Sequence, residues 1–247
     1  MNVGAILLLV LTGVIFLVLL ILRGRKGPRP EIRPLPAFQD LWKETGYAAE
    51  SGGAIHIALG TGGLNGEDAA TSLAGVQVVE ALADAAVSYE APPLITVGNP
   101  TLLPLAQDLL RRAYERRDVA ELYDPSRVQF VAPSPVAYAA GAAHIVATEN
   151  VTANTMYGAF GAEVSLITDA GARRDLPQLA AAADTRALGA LYPTIGRLAV
   201  GEELYAAAAQ MTGKRRDLVS LATQDILRVI LVLVIVGGAV LAYLGIL

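Results

Sequence analysis

The chain contains no cysteine. Disulfides, thiolate metal ligands and cysteine nucleophiles are therefore excluded. Histidine is almost as scarce, with only His56 and His144. Neither has carboxylates at ligand spacing, so no metal site is expected. His56 stands between isoleucines in an apolar run and reads as a core residue with satisfied hydrogen bonds. No Gly-x-Ser-x-Gly elbow is present, and no glycine-rich loop ends in lysine, so the serine-hydrolase and P-loop patterns are both missing. Ser134 sits between Pro133 and Pro135, the setting of a turn rather than a nucleophile. Glu163 and Asp169 are six apart on one helical stretch and do not face each other. No catalytic residue emerges, and no cofactor is specified. The net charge of −4 leaves no basic face for nucleic acid.

Charge is missing altogether from two long stretches. Val3 to Leu22 and Val229 to Leu247 are apolar throughout. Each is long enough to cross a hydrocarbon core of about 30 Å at ~1.5 Å per residue. Without an ionisable residue inside them, they read as anchors rather than a transport path. Arg23, Arg25, Lys26, Arg29 and Arg33 follow the first run, and Lys214, Arg215, Arg216 and Arg228 precede the second. Basic residues collect on the cytoplasmic side of a span. The expectation is a two-span protein of the inner (cytoplasmic) membrane, its intervening domain cytoplasmic and both termini outside. A cleaved signal peptide would carry its positive charge before the apolar stretch, which is the reverse of this order. The lipid bilayer is thus the first partner expected, with anionic headgroups meeting the basic roots.

Five segments follow. Residues 1–26 form the first span and its basic flank. Residues 27–36 hold four prolines in ten positions and read as an extended linker. Residues 37–213 form the cytoplasmic domain. Residues 214–228 form an amphipathic juxtamembrane helix, and residues 229–247 the second span. Within the domain, short apolar runs at 54–59, 94–97, 128–131, 151–156 and 176–183 alternate with helical stretches at 67–90, 101–117, 135–149 and 160–173. A further helical stretch, 37–50, precedes them and another, 202–211, follows. Alternation at about 30 residues is the mark of βαβ units around a parallel sheet buried on both faces. The expected fold is a Rossmann-like three-layer α/β sandwich with a mostly parallel sheet of five strands.

The strongest binding candidate is the loop Gly60-Thr61-Gly62-Gly63-Leu64-Asn65-Gly66 after the first strand. Glycines allow backbone to approach a ligand, and the helix that follows offers free amides. The dinucleotide fingerprint is broken, because Asn65 occupies its third glycine position. Asn99 stands where an acidic ribose partner belongs. Glu67 and Asp68 put negative charge where a phosphate would sit, and they suit the helix dipole by themselves. A tight turn is the competing reading. Gly60, Thr61, Gly62, Gly63, Asn99, Ser134 and Asn154 are the candidate ligand residues, all on one edge of the expected sheet, though Ser and Asn serve equally as caps and turn residues.

The stretches Ile95-Thr-Val-Gly-Asn-Pro-Thr-Leu-Leu-Pro-Leu-Ala-Gln-Asp, Tyr157-Gly-Ala-Phe-Gly-Ala-Glu-Val and Val200-Gly-Glu-Glu-Leu-Tyr resemble an uncharacterised bacterial two-span membrane-protein family, a domain of unknown function. The resemblance runs from Leu35 to the C-terminus and implies no activity, substrate or catalytic residue. The expected function is a structural, assembly or interaction subunit of a membrane complex, partnered by itself as a homo-oligomer or by other membrane subunits. The alternative is an enzyme or sensor that binds a nucleotide or small metabolite over Gly60–Gly66.

Overall fold

The computed structural model describes residues 3–22, 35–38 and 41–243. The chain divides into two compact units: Pro34–Met211, and Met1–Arg33 together with Thr212–Leu247. The basic flank and nearly all of the proline-rich linker expected at 23–36 lie outside the described residues.

The first unit is an α/β domain built on a six-stranded, all-parallel sheet. Its strands are β1 (Ala54–Gly60), β2 (Leu94–Val97), β3 (Val128–Phe130), β4 (Val151–Ala159), β5 (Gln178–Ala182) and β6 (Leu198–Val200), in spatial order 3-2-1-4-5-6. Helices are numbered from α1 (Val3–Leu22) of the second unit. In the α/β domain, α2 (Leu41–Ser51) precedes β1. Then α3 (Ala69–Ser88), α4 (Leu103–Glu115), α5 (Pro135–Thr148), α6 (Val164–Ala172), α7 (Thr185–Leu191) and α8 (Glu203–Thr212) each follow a strand. The sheet has six strands rather than five: β6, of three residues, is too short to show as an apolar run. The helix expected from Ala37 begins at Leu41, after a 3-10 turn at Pro36–Phe38. The expected fourth strand is longer than its apolar run, continuing through Tyr157 and Gly158 to Ala159.

Alternate residues of the strands feed two cores, because successive side chains point to opposite faces. Ile55, Ile57 and Leu59 of β1 share one core with Val79 and Leu82 of α3, Leu110 of α4 and Leu204 of α8. Ala58 of β1 joins Met156, Ala180 and Ala182 in the other, under Tyr138 and Val146 of α5, Ile167 of α6 and Leu191 of α7. The strands present mainly Ile, Leu and Val to the first core and mainly alanine to the second, where larger side chains from the helices fill the space. Helix α3 approaches β4 so closely that a Cβ on Gly75 would lie 2.6 Å from the Tyr157 carbonyl oxygen. The two ends of the domain are tied together: Leu35 N–H donates to Gln210 Oε1 at 2.8 Å, and Gln210 Nε2 donates to the Leu35 carbonyl at 3.4 Å.

In the second unit, α1 and α9 (Arg215–Tyr243) lie against each other. Helix α9 is one helix of 29 residues, continuous from the juxtamembrane segment into the final apolar run. Its stretch Arg216–Gly238 is long and apolar enough to cross a membrane, whereas the apolar stretch of α1, Ile6–Leu22, is shorter. Helix α3 meets the same length and composition test, yet it is largely buried in the domain. Leu7, Leu9, Ile21 and Leu22 of α1, with Leu233 and Val234 of α9, are 65–73% exposed.

Three helices end alike. After α3, α4 and α6, the amides of Ala91, Val119 and Leu176 return to the carbonyls of Ala86, Tyr114 and Gly171. That bond closes a Schellman turn, which needs a left-handed residue just past the helix. Glycine is the usual occupant, as at Gly52 (φ 64°) after α2. Here Glu90, Asp118 and Asp175 hold the position at φ 58°, 57° and 51°. A side chain is strained there, and a negative charge opposes the helix dipole. Asp118→Gly and Asp175→Gly are each expected to raise the unfolding free energy of the solubilised protein by about 0.5–1 kcal/mol. Gly75→Ala is expected to lower it by about 1–3 kcal/mol through overpacking of α3 on β4. Urea titration measures all three.

Candidate functional site

The strand order reverses between β1 and β4, and in open parallel sheets ligands bind outside the carboxyl ends of the strands at such a point. A cleft of about 240 Å³ opens there, lined by Thr61, Asp68, Thr71, Pro135, Gly158–Gly161, Glu163, Ala183, Asp184 and Arg186. A larger cavity of about 520 Å³ lies at the opposite edge, around Gly53, Leu94 and Val151. That edge holds the strand starts, so the smaller cleft is the candidate site.

Close backbone contact shapes its floor. The β1–β4 pairing runs from Ala58 opposite Met156 to Gly60 opposite Ala159, so β4 carries one extra residue, a bulge. Gly158 (φ 146°) sits in the bulge, where a Cβ would lie 2.2 Å from the Leu59 carbonyl oxygen. Gly60 (φ 73°) ends β1, and a Cβ there would lie 2.1 Å from the Ala159 carbonyl oxygen. The bulge turns Ala159, Phe160 and Gly161 into the cleft.

Carboxylates stand at the helix starts around it. Asp68 precedes α3 and makes no side-chain capping bond. Glu163 precedes α6, and its Oε1 accepts from Gly161 N–H at 2.7 Å. Asp184 caps α7, its Oδ1 accepting from Arg186 N–H at 2.7 Å and its Oδ2 from Arg186 Nη2 at 2.8 Å. Hydrogen bonds from the Arg186 side chain, then from its backbone, pull the Asp184 carboxyl down to about 2. The Arg186 guanidinium is pushed up, first by Asp184 and further by the charges of Glu163 and Asp68. The positive helix ends that would attract a phosphate are thus faced by the protein's own carboxylates. Among the described residues, no cluster of three His, Asp or Glu side chains suits a metal ion.

The residues singled out in the sequence do not all reach the cleft. Thr61 lines it. Gly60 and Gly62 pack behind its wall: a Cβ on Gly62 would lie 2.5 Å from Ser72 Oγ, 2.6 Å from Ala159 Cβ and 3.0 Å from Asp68 Cβ. Gly63 packs on the Asn99 side chain, whose Oδ1 accepts from the Thr101 amide and hydroxyl in a local turn. Ser134 precedes α5 with no side-chain capping bond, next to Pro135 of the cleft. Asn154 lies inside β4, fully buried, rather than at a strand end. Three amides of the glycine loop have internal acceptors: Gly60 N–H on Tyr138 Oη, Thr61 N–H on the Ala159 carbonyl and Leu64 N–H on Thr101 Oγ1. Asp184 and Arg186 escaped the sequence reading, although an Asp after an apolar run is a recognisable helix-start signal.

A chain of buried and half-buried hydrogen bonds crosses the sheet, and its directions can be deduced. The Thr168 carbonyl can only accept, so Gln178 presents Nε2 to it, at 2.9 Å. Gln178 Oε1 then accepts from Asn154 Nδ2 at 2.9 Å, leaving Asn154 Oδ1 to face His56 Nδ1 at 2.8 Å. His56 therefore carries its proton on Nδ1, and Nε2 accepts from Thr96 Oγ1 at 3.0 Å. The Tyr138 hydroxyl donates to Thr96 and accepts from Gly60 N–H at 3.2 Å. Burial raises the Tyr138 phenol to about 12, so it stays a donor.

Burial lowers His56 to about 4, from an ordinary 6.5, against a smaller upward pull from Asn154. A histidine whose folded pKa lies below its unfolded value stabilises the fold fully above the unfolded pKa. That stability is lost as pH falls toward the folded one. The His56 contribution is accordingly expected to fall by about 3 kcal/mol between pH 6.5 and 4. Urea titrations of the solubilised protein across this range, set against His56→Gln, isolate it; the variant is expected to show the flatter profile.

No curated protein and no solved structure matches the chain. A family model does, over residues 1–247, and the chain belongs to that family, the domain of unknown function DUF6754.

Proposed function

We propose that the chain is a two-span protein of a bacterial inner membrane, with a cytoplasmic, Rossmann-like α/β domain that acts as a structural or interaction subunit of a membrane assembly. The exposed apolar surface of α1 and α9 carries this reading. Water-soluble proteins rarely leave contiguous apolar patches beyond a few hundred Å², and lipid removes that cost. The basic residues beside both runs favour a cytoplasmic domain. The strand order 3-2-1-4-5-6 supports the Rossmann-like assignment. Two tethers hold neighbouring copies in a common orientation, which raises their effective concentration for lateral contact. Copies of the same chain or other membrane subunits are the partners this arrangement suits.

A second reading is favoured by the switch-point cleft: an enzyme or sensor that binds a small polar metabolite there. A nucleotide fits this reading poorly, since carboxylates already face the helix ends that would hold its phosphates.

In sealed right-side-out vesicles, protease added outside is expected to leave residues 37–213 intact; in inverted vesicles it is expected to remove them. Cross-linking of the native membrane is expected to yield a homo-oligomer or a complex with other membrane subunits. External digestion would reverse the topology, and a monomer with no companion would overturn the assembly role.

A further inference from the structure

We infer that one ordered water molecule binds between the Tyr157 hydroxyl and the Arg197 guanidinium, where it ties α2 to the sheet. Strand register brings the two side chains together. Tyr157 of β4 stands opposite Ala181 of β5, and Ala181 stands opposite Ala199 of β6. All three belong to the first core. The two alanines leave the space above them to a longer side chain. Arg197, two residues before Ala199, lies on the same side of the sheet. Its charge is felt at the Tyr157 phenol. The segment that leads into the domain closes over both. Phe38 stacks on the Tyr157 ring at 5.9 Å, with 21° between the planes. Glu44 of α2 accepts from Arg197 Nη2 at 2.8 Å.

Two polar atoms in this arrangement are buried without a partner among the described residues: Tyr157 Oη and Arg197 Nη1. Tyr157 is wholly buried. Buried polar side-chain atoms are nearly always bonded to protein or to ordered water, and a charged group left unmet costs most. One bridging molecule satisfies both atoms, and their chemistry selects it. Arg197 Nη1 only donates, so the bridge must accept; the phenol does either. Burial pushes the phenol well up, so it keeps its proton. The Arg197 charge is already met by Glu44, so an anion would bring an uncompensated charge into an apolar core. Water bonds both atoms and adds no charge. The Arg197 side chain is 29% exposed, which gives water its entry. Bridged in this way, the Glu44–Arg197 pair reaches β4, and α2, β6 and β4 share one polar tie.

The test is a high-resolution structure of the full-length, detergent-solubilised protein with bromide present, beside urea titration and hydrogen exchange of Tyr157→Phe. A water within about 3.2 Å of both Tyr157 Oη and Arg197 Nη1 is expected, with no anomalous peak. Tyr157→Phe keeps the ring and removes one partner of the water. It is expected to enlarge the unfolding constant about fivefold and to speed exchange of the α2 amides. A direct bond between the two side chains would overturn the inference, as would an unfolding constant made smaller by Tyr157→Phe. A bromide peak between them would overturn it in favour of an anion. Unchanged exchange in α2 would overturn the tie.

Discussion

A buried imidazole that has to remain neutral constrains the centre of the α/β domain. His56 stands on the middle strand with no exposure to solvent, and both ring nitrogens are committed, one to Asn154 and one to Thr96. An unpaired polar group there would cost on the order of 1–3 kcal/mol. The chain of donors from Gly60 to the Thr168 carbonyl avoids this by satisfying every member in a single direction. It links strands β1, β2, β4 and β5 to helices α5 and α6 through side chains, over and above the backbone ladder. One-residue slippage of any of these strands would turn its polar side chain to the other face and break the chain, so the network also fixes register.

The same chain reaches the cleft. Tyr138 holds the Gly60 amide at the end of β1, where Gly60 pairs with Ala159 just past the β4 bulge. The glycines at this edge are explained by packing: Gly60 and Gly158 admit opposing carbonyls, Gly62 admits Ser72, and Gly63 admits Asn99. A loop that looks in sequence like a phosphate cradle is instead a tight junction between strands. The adjoining cleft is bounded by carboxylates that neutralise the helix ends. Its chemistry is therefore that of an acidic recess with one internally paired arginine.

Much of this architecture was legible in the sequence, because strands covered on both faces must be apolar runs and the helices between them amphipathic. The run Ala54–Leu59 and the helix after it could be read directly. Strand β6 could not, since Leu198–Val200 is too short to form a run. Asn154 was placed at a strand end because the apolar signal fades after Met156, whereas β4 continues through Tyr157 and its glycine bulge. At the cleft, Thr61 was found through its glycine neighbours. Asp184 and Arg186 were not, because they arrive from the β5–α7 connection and meet Asp68 only through the sheet order 1-4-5. His56 was expected to be a satisfied core residue, and it is. Its partners could not be named, being 40 and 98 residues away.

The tautomer of His56 is the sharpest test of this account, since every direction in the buried chain converges on it. Two-bond ¹H–¹⁵N NMR of the solubilised protein, with His144→Gln removing the other imidazole, reads it directly. A neutral ring protonated on Nδ1 from pH 7 down to pH 5 is the result the hydrogen-bond directions require. A ring protonated on Nε2, or on both nitrogens in that range, would contradict them.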